Sequence, residues 1–355
     1  MAKTYGNAPM AKRGSRSIDY HVRSSFNYVR NPLLKKVTRM LSENSRANIS
    51  EISSKLGVSR KTVADKIKQL EKEYNAKFVP EFSEQALKLT SPHLTLVKFA
   101  KVPDLEKIKE IFSESEIPQL VATIKGDYDL LIYSNYFSNF DYAKWDKKTR
   151  IRLSEYDAVW RTSEVVHKQL GFFPLRNEII QKCEISERYK KMLAMLNENS
   201  RISFAQLSKA MGMHFNTVAY NFNRLLKKDY IKRFTFLMDV PKDVTIMTFF
   251  ASYSVKEGYE AASAEARKAF VDDDLEPFIS RYLITAPLIG SYDFFTMGAF
   301  DSEESARIHD ILYHKNLFKD FKIKLFHGVV DKVLIGRLPV RNIDTKAEYK
   351  TLYWE

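Results

Sequence analysis

A single cysteine, Cys183, stands in 355 residues, so no disulfide can form within the chain, and a reducing cytoplasm is the expected setting. The seven histidines are scattered. His309 and His314 lie five apart, where two ligands on one helix face need four, and no metal is expected. Long apolar runs are missing as well. The most apolar stretch, Val244 to Val255, is short and interrupted by polar residues, and the N-terminus shows no signal-peptide pattern, so a soluble protein with no membrane partner is expected. There is no phosphate-binding glycine loop, no His-Glu-x-x-His helix and no nucleophile elbow. These absences leave no candidate catalytic residue and no cofactor, and they point away from an enzyme.

What is present is a repetition. Met40 to Ala64 (MLSENSRANISEISSKLGVSRKTVA) recurs without a gap from Met195 to Ala219 (MLNENSRISFAQLSKAMGMHFNTVA), a shift of 155 positions. Met40, Leu41, Glu43, Asn44, Ser45, Arg46, Ser53, Gly57, Thr62, Val63 and Ala64 have identical counterparts, so one supersecondary unit is built twice. In the first copy Leu41, Ile49, Ile52 and Leu56 line two short helical faces, Gly57 suits a positive φ and Ser59 suits a helix cap. Val63, Ile67 and Leu70 then fall at i, i+4 and i+7, which turns Lys61, Ala64, Asp65 and Lys68 outward. The second copy sets Val218, Phe222 and Leu225 inside, with Asn216, Ala219, Tyr220 and Asn223 outside. The pattern is helix, turn, helix, and the β-prone pieces Ala76 to Phe82 and Tyr230 to Asp239 are the expected wings.

The formal charge is +13, and its distribution says more than its size. Met1 to Pro92 carries 18 Lys/Arg against 8 Asp/Glu and Glu187 to Val240 carries 10 against 4, so these segments hold +10 and +6 and the remainder about −3. A polyanion-binding head on a neutral body requires this arrangement. Ordinary solvation of helix faces also gathers lysine, yet both units show the same bias. Residues 1–30 add Lys3, Lys12, Arg13, Arg16, Arg23 and Arg30 against Asp19 alone. Lacking a core, they are expected to form a flexible basic arm, which either tracks phosphates or serves as a solubilising tail.

Between and after the heads, strand and helix periodicities alternate. His93 to Val102, Gln119 to Lys125, Leu130 to Tyr136 and Ala158 to Lys168 read as strands, with helices over Asp104 to Ser115 and Phe140 to Tyr156. The order βαββαβ is ferredoxin-like. It returns as Val244 to Val255, Glu260 to Phe270, Pro277 to Thr285, Phe294 to Phe300, Glu303 to Lys315 and Lys322 to Ile335. The turn Gly126-Asp127-Tyr128-Asp129 returns as Gly290-Ser291-Tyr292-Asp293, and Pro174-Leu175-Arg176-Asn177 as Pro339-Val340-Arg341-Asn342. The expected class is therefore α+β: after the arm, winged helix-turn-helix units at 31–90 and 185–240 alternate with ferredoxin-like domains at 91–180 and 241–345.

A winged helix-turn-helix followed by a βαββαβ domain with a Gly-x-Tyr-Asp turn resembles the Lrp/AsnC (feast/famine) transcription regulators. Asn199-Ser200-Arg201-Ile202-Ser203 through Gly212 to Tyr230-Ile231 is most similar to their head, and the resemblance covers nearly the whole chain after residue 30, taken twice. It implies a sequence-specific regulator of double-stranded DNA, associated with the nucleoid. Its RAM-type bodies would pair sheet to sheet and bind a small effector such as an amino acid near the turn. One chain with two bodies resembles a joined dimer, and further homo-oligomer formation is expected. The chain departs from the family where the recognition helices begin, with Ser59-Arg60-Lys61 and His214-Phe215-Asn216 in place of small residues or proline. These starts also differ from each other, which argues against a palindromic site. Two other readings stay open. Siroheme decarboxylases resemble this layout, but their aromatic stretch similar to Asn-Leu-Trp-Phe is replaced here by Tyr128-Asp129-Leu130-Leu131-Ile132 and Tyr292-Asp293-Phe294-Phe295-Thr296. An adaptor to the transcription machinery is the other.

For DNA contact the candidates are Ser59, Arg60, Lys61 and Lys68 in the first recognition helix, whose cations suit guanine edges and phosphates. In the second they are Asn216, Tyr220, Asn223 and Arg224, whose amides suit adenine; Tyr220 could equally pack on the wing and Asn216 could cap. For an effector the resemblance implies Gly126, Asp129, Gly290 and Asp293. The alternative is that these glycines permit a hairpin while the carboxylates hold backbone donors.

Overall fold

A computed structural model describes residues 31–90, 92–168, 171–238, 244–255, 282–309 and 321–340. The expected arm at 1–30 and helix at 260–270 lie outside them. In chain order the helices are Pro32–Glu43 (α1), Ile49–Leu56 (α2), Arg60–Glu73 (α3), Leu105–Ser113 (α4), Asn139–Arg152 (α5), Asn177–Lys182 (α6), Glu187–Glu198 (α7), Phe204–Met211 (α8) and Phe215–Lys227 (α9), and residues 303–309 are also helical. The strands are Lys77–Phe82 (β1), His93–Lys98 (β2), Pro118–Gly126 (β3), Leu130–Ser134 (β4), Val159–Val165 (β5), Ile231–Leu237 (β6), Thr245–Val255 (β7), Tyr282–Gly290 (β8), Phe294–Phe300 (β9) and Phe321–Gly336 (β10).

Each head is a three-helix unit with matching stops. Gly57 and Gly212 end α2 and α8 at φ of 65° and 64°, the left-handed C-cap that glycine adopts without a Cβ clash. Leu41, Ile52, Val63 and Leu70 are fully buried in the first head, as are Leu196, Leu207, Val218 and Leu225 in the second. The strands expected as wings behave differently. β1 and β6 pair with each other, antiparallel, from Lys77 opposite Leu237 to Phe82 opposite Ile231. These pieces carry apolar residues on both faces, and a ribbon shared by two heads buries both, whereas a solvent-facing hairpin buries one. Phe236 accordingly packs into the first head's core and Phe82 into the second's.

The contact between the heads repeats across a local pseudo-twofold axis. Ser45 and Ser200, equivalent residues of the two copies, hydrogen-bond through their hydroxyls at 2.8 Å. Ser45 N donates to Phe234 O at 2.9 Å and Ser200 N to Phe78 O at 2.8 Å. Arg46 donates to the carbonyls of Ser200 and Ile202, the latter at 3.0 Å, and Arg201 donates to the carbonyl of Ser45.

The bodies each have the strand order fourth, first, third, second, and they join into one closed eight-stranded barrel, β10-β3-β4-β2-β5-β8-β9-β7. The pairing expected between sheets thus occurs within one chain. Its interior is apolar, with Leu96, Leu131, Tyr133, Phe250, Ile284 and Phe295 among the core. Helices α4 and α5 cover the outside of the first sheet through Ile108, Phe112 and Trp145. The seams are unequal: β10 pairs with β3 from Gly328 opposite Gly126 to Gly336 opposite Leu120, whereas β5 meets β8 only from Ser163 to Val165. β8 runs past the expected end at Thr285 and through Pro287, whose carbonyl accepts from Val166 N at 3.1 Å. A proline in a strand gives up only its N–H, and here the acceptor side carries the seam.

Gly126 and Gly290 serve these seams. At φ of 150° and 133° respectively, a Cβ would stand 2.4 Å from His327 O and 2.9 Å from Thr162 O. Both acceptors are backbone atoms and cannot swing aside. Gly126→Ala is therefore expected to cost at least about 2 kcal/mol of stability. Thermal unfolding checks this, and an unchanged midpoint would show that the seam relaxes. The chain as a whole is an α+β protein with two winged helix-turn-helix units and two β-rich bodies.

Candidate nucleic-acid interface

The exposed faces of α3 and α9 carry the candidate DNA contacts, because the heads bury the other faces of these helices. In α3, Val63, Ile67 and Leu70 turn inward and leave Arg60, Lys61, Asp65 and Lys68 exposed. Ser59 is also exposed, but its hydroxyl already accepts from Thr62 N at 3.0 Å and meets the Thr62 hydroxyl at 2.8 Å. It caps the helix and sets the direction of the Arg60 and Lys61 side chains. The positive end of the helix dipole adds to these two cations, which suits a phosphate.

In α9 the inward residues are Val218, Phe222 and Leu225, and Asn216, Tyr220, Asn223 and Arg224 are exposed. The cap is His214, whose Nδ1 accepts from Asn216 N at 3.3 Å, so the Asn216 side chain is not the cap. Tyr220 is 60% exposed and does not pack on a wing. Its hydroxyl accepts from Arg224 at 3.3 Å, and the guanidinium lies 5.7 Å from its ring centre. Phe215, absent from the sequence candidates, is 48% exposed and meets Phe204 edge to face at 5.9 Å. Its position in the repeat, opposite Arg60, was the available signal. The 155-residue shift sets Arg60, Lys61, Asp65 and Lys68 against Phe215, Asn216, Tyr220 and Asn223. The charged positions of one recognition surface thus correspond to aromatic and amide positions in the other, where Arg224 is the cation among the candidates.

At the turns, the four effector candidates have structural partners. Asp129 accepts from Phe99 N at 2.8 Å and from Lys98 at 2.9 Å, and Asp293 accepts from Tyr253 N at 2.7 Å. The hydroxyls of Tyr128 and Tyr292 hydrogen-bond to each other across the pseudo-axis, and burial together with this bond pushes Tyr292 well above the ordinary phenol range.

Two polar features lie away from the recognition helices. Glu84, in the turn after β1, pairs with Lys168 and accepts from the Tyr133 hydroxyl at 3.1 Å. A cleft of about 600 Å³ opens between α4, α5 and α6. Glu114 at its edge is held below its ordinary pKa by hydrogen bonds from Arg152 and Lys148. Among the described residues no three His, Cys, Asp or Glu side chains are grouped to hold a metal, and no helix is long and apolar enough to cross a membrane. His314 lies outside those residues.

Comparison with known proteins places the heads most directly. The winged helix-turn-helix DNA-binding family matches residues 30–73 and 185–232. No curated protein matches. Among solved structures, siroheme decarboxylase NirDL is similar over 90% of this chain and 97% of its own, at 12% identity and a TM-score of 0.54. The same enzyme with an iron-uroporphyrin III analogue is similar over 89% and 96%, at 11% identity and 0.54. An AsnC family transcriptional regulator from Agrobacterium tumefaciens is similar over 39% of this chain and 90% of its own, at 16% identity and 0.34. At these identities the likeness is one of fold, and the full-length likeness shows that the tandem layout recurs as a unit.

Proposed function

We propose that the chain is a sequence-specific double-stranded DNA-binding regulator of the Lrp/AsnC type, which acts through binding and not through catalysis, in the nucleoid of the cytoplasm. The observation that carries this reading is α3: a capped helix whose outward face presents Arg60 and Lys61 beside the dipole's positive end and Lys68 about two turns further along. The two heads read unlike half-sites, because α9 offers Asn216, Tyr220 and Asn223 where α3 offers cations. An effector at Gly126, Asp129, Gly290 and Asp293 is no part of the proposal, since those residues are occupied by seam and backbone contacts.

Selection from random duplexes tests the reading. The preferred site is expected to be asymmetric. Arg60→Ala and Asn223→Ala are each expected to relax a different half of it, by on the order of 1 to 3 kcal/mol for a true base contact. A phosphate contact would weaken all sequences equally. A perfect palindrome, or the same shift for both variants, would overturn the asymmetry. A second reading, a siroheme decarboxylase-like enzyme, is favoured by the full-length likeness of fold to NirDL. Against it stand the cations exposed on the head.

A further inference from the structure

We propose that Arg46 and Arg201 are positioning residues of a clasp that sets the separation and phase of α3 and α9, so that the chain accepts one spacing between its two half-sites. The inference rests on the DNA-binding reading and adds a rule of spacing to it. Arg46 and Arg201 occupy the same place in the two copies, and each leaves its own head for the other. The Arg46 guanidinium lies 4.8 Å from the ring centre of Phe222 and 5.5 Å from those of Phe204 and Phe234. Phe222 belongs to the buried face of α9 and stacks on Phe234 of β6 at 5.7 Å. Arg46 of the first head therefore touches the second head's recognition helix directly. Arg201 lies 5.3 Å from the ring centre of Phe78, in the core that holds α3.

Stability alone does not call for this arrangement. Burial, and next the like charge of Arg201, act to lower the pKa of Arg46, and burial does the same to Arg201. Apolar side chains would fill the same space without desolvating two like charges. A planar group with five donors supplies direction: it ties particular carbonyls of the opposite head while its cation lies close to the rings beside them. The ribbon of β1 and β6 is by itself a two-stranded joint, which twists readily. The Ser45 and Ser200 hydroxyls on the axis, the backbone bonds of these two serines to the ribbon and an arginine on each side add points of attachment to that joint. Half-site spacing on a duplex mirrors the geometry of the heads that read it. Heads joined only by a flexible connection would tolerate many spacings.

Two measurements on the full-length protein test the clasp. Spin labels at Ser54→Cys and Lys209→Cys, exposed and equivalent positions on α2 and α8, report the distance between heads. Cys183 is buried, its thiol pushed up to about 11, and does not compete for label. A single narrow distance distribution is expected, broadening at least about twofold in Arg46→Gln/Arg201→Gln. The second measurement takes the selected site and inserts or removes up to about five base pairs, half a helical turn, between its halves. Intact protein is expected to lose affinity about tenfold or more at the half-turn change, and the double variant to vary less than about threefold across the series. If the double variant does not fold, Arg46→Lys, which keeps the charge and loses the fork, is expected to shift both readouts in the same direction. An unchanged distribution with an unchanged spacing profile would overturn the proposal. If the intact protein binds no duplex, the DNA-binding reading and the spacing rule fail together. The distance measurement then decides the clasp by itself: broadening keeps it as a joint between heads, and no broadening removes it.

Discussion

Raising salt from about 50 to about 200 mM is expected to weaken duplex binding by roughly 10³- to 10⁵-fold, the loss that follows when roughly six to ten phosphate contacts release counterions. The cations for those contacts are unevenly placed. α3 exposes Arg60, Lys61 and Lys68, whereas α9 has Arg224 alone among the candidates, partly engaged by Tyr220. Residues 1–30 carry six further Lys/Arg. The slope of affinity against salt is therefore expected to fall on deleting that segment or on neutralising Arg60 and Lys61, and to change little in Asn216→Ala. Fluorescence anisotropy titrations at several salt concentrations measure it. A flat dependence would remove the phosphate contacts, and decarboxylation of siroheme without DNA binding would establish the enzyme reading instead.

Lys168→Met is expected to destabilise the fold by on the order of 3 kcal/mol at neutral pH, because it leaves the Glu84 carboxylate buried without its cation. The two side chains are only 17% and 16% exposed. Burial acts to raise the Glu84 pKa, but the charge and hydrogen bond of Lys168, joined by the hydrogen bond from Tyr133, hold the carboxyl below its ordinary value. Glu84 follows the ribbon strand β1, Tyr133 lies in β4 of the barrel and Lys168 in the segment that leaves β5, so the pair staples heads to bodies. The pH dependence has a definite sign. A carboxyl with a lowered folded pKa contributes fully above its unfolded value and loses that contribution as pH falls through the folded one. Intact protein should thus lose this stability only in acid. In Lys168→Met the cation no longer opposes burial and only weaker hydrogen bonds such as that from Tyr133 remain, so the carboxyl takes up a proton at higher pH than in the intact protein, and the deficit should shrink on acidification. Glu84→Gln in that background should recover part of the loss. Denaturant unfolding at several pH values measures it, and equal stabilities at neutral pH would show that the staple carries no net energy.

Much of this architecture was legible because its signals are local. The periodicity of Val63, Ile67 and Leu70, the left-handed caps at Gly57 and Gly212, and the alternation of Leu94, Leu96, Leu131 and Tyr133 each report a period that the backbone imposes within a few residues. The repeat made the second half readable from the first. Ser59 read correctly as a cap, and the outward faces of α3 and α9 came out as the pattern required. Errors arose where a residue's partner lies far along the chain. Gly126 does open the hairpin between β3 and β4, as its sequence suggests, but the atom that excludes its Cβ belongs to the distant His327, which no local pattern reports. β1 and β6 looked like separate wings because nothing local tells a strand which edge it will meet.

Sequence by itself determined that one unit of helices and strands is built twice, which faces of those units are apolar, and where positive charge collects, since each of these depends only on residue order and short-range periodicity. Tertiary structure alone decided that the two expected wings pair as one ribbon, that the two sheets close into a single barrel, and that Arg46 and Arg201 cross between heads. Those outcomes depend on contacts between residues about 120 or more positions apart. Their selection rests on burying both faces of an apolar strand and pairing every open edge, and no local pattern encodes which distant segment will meet that need.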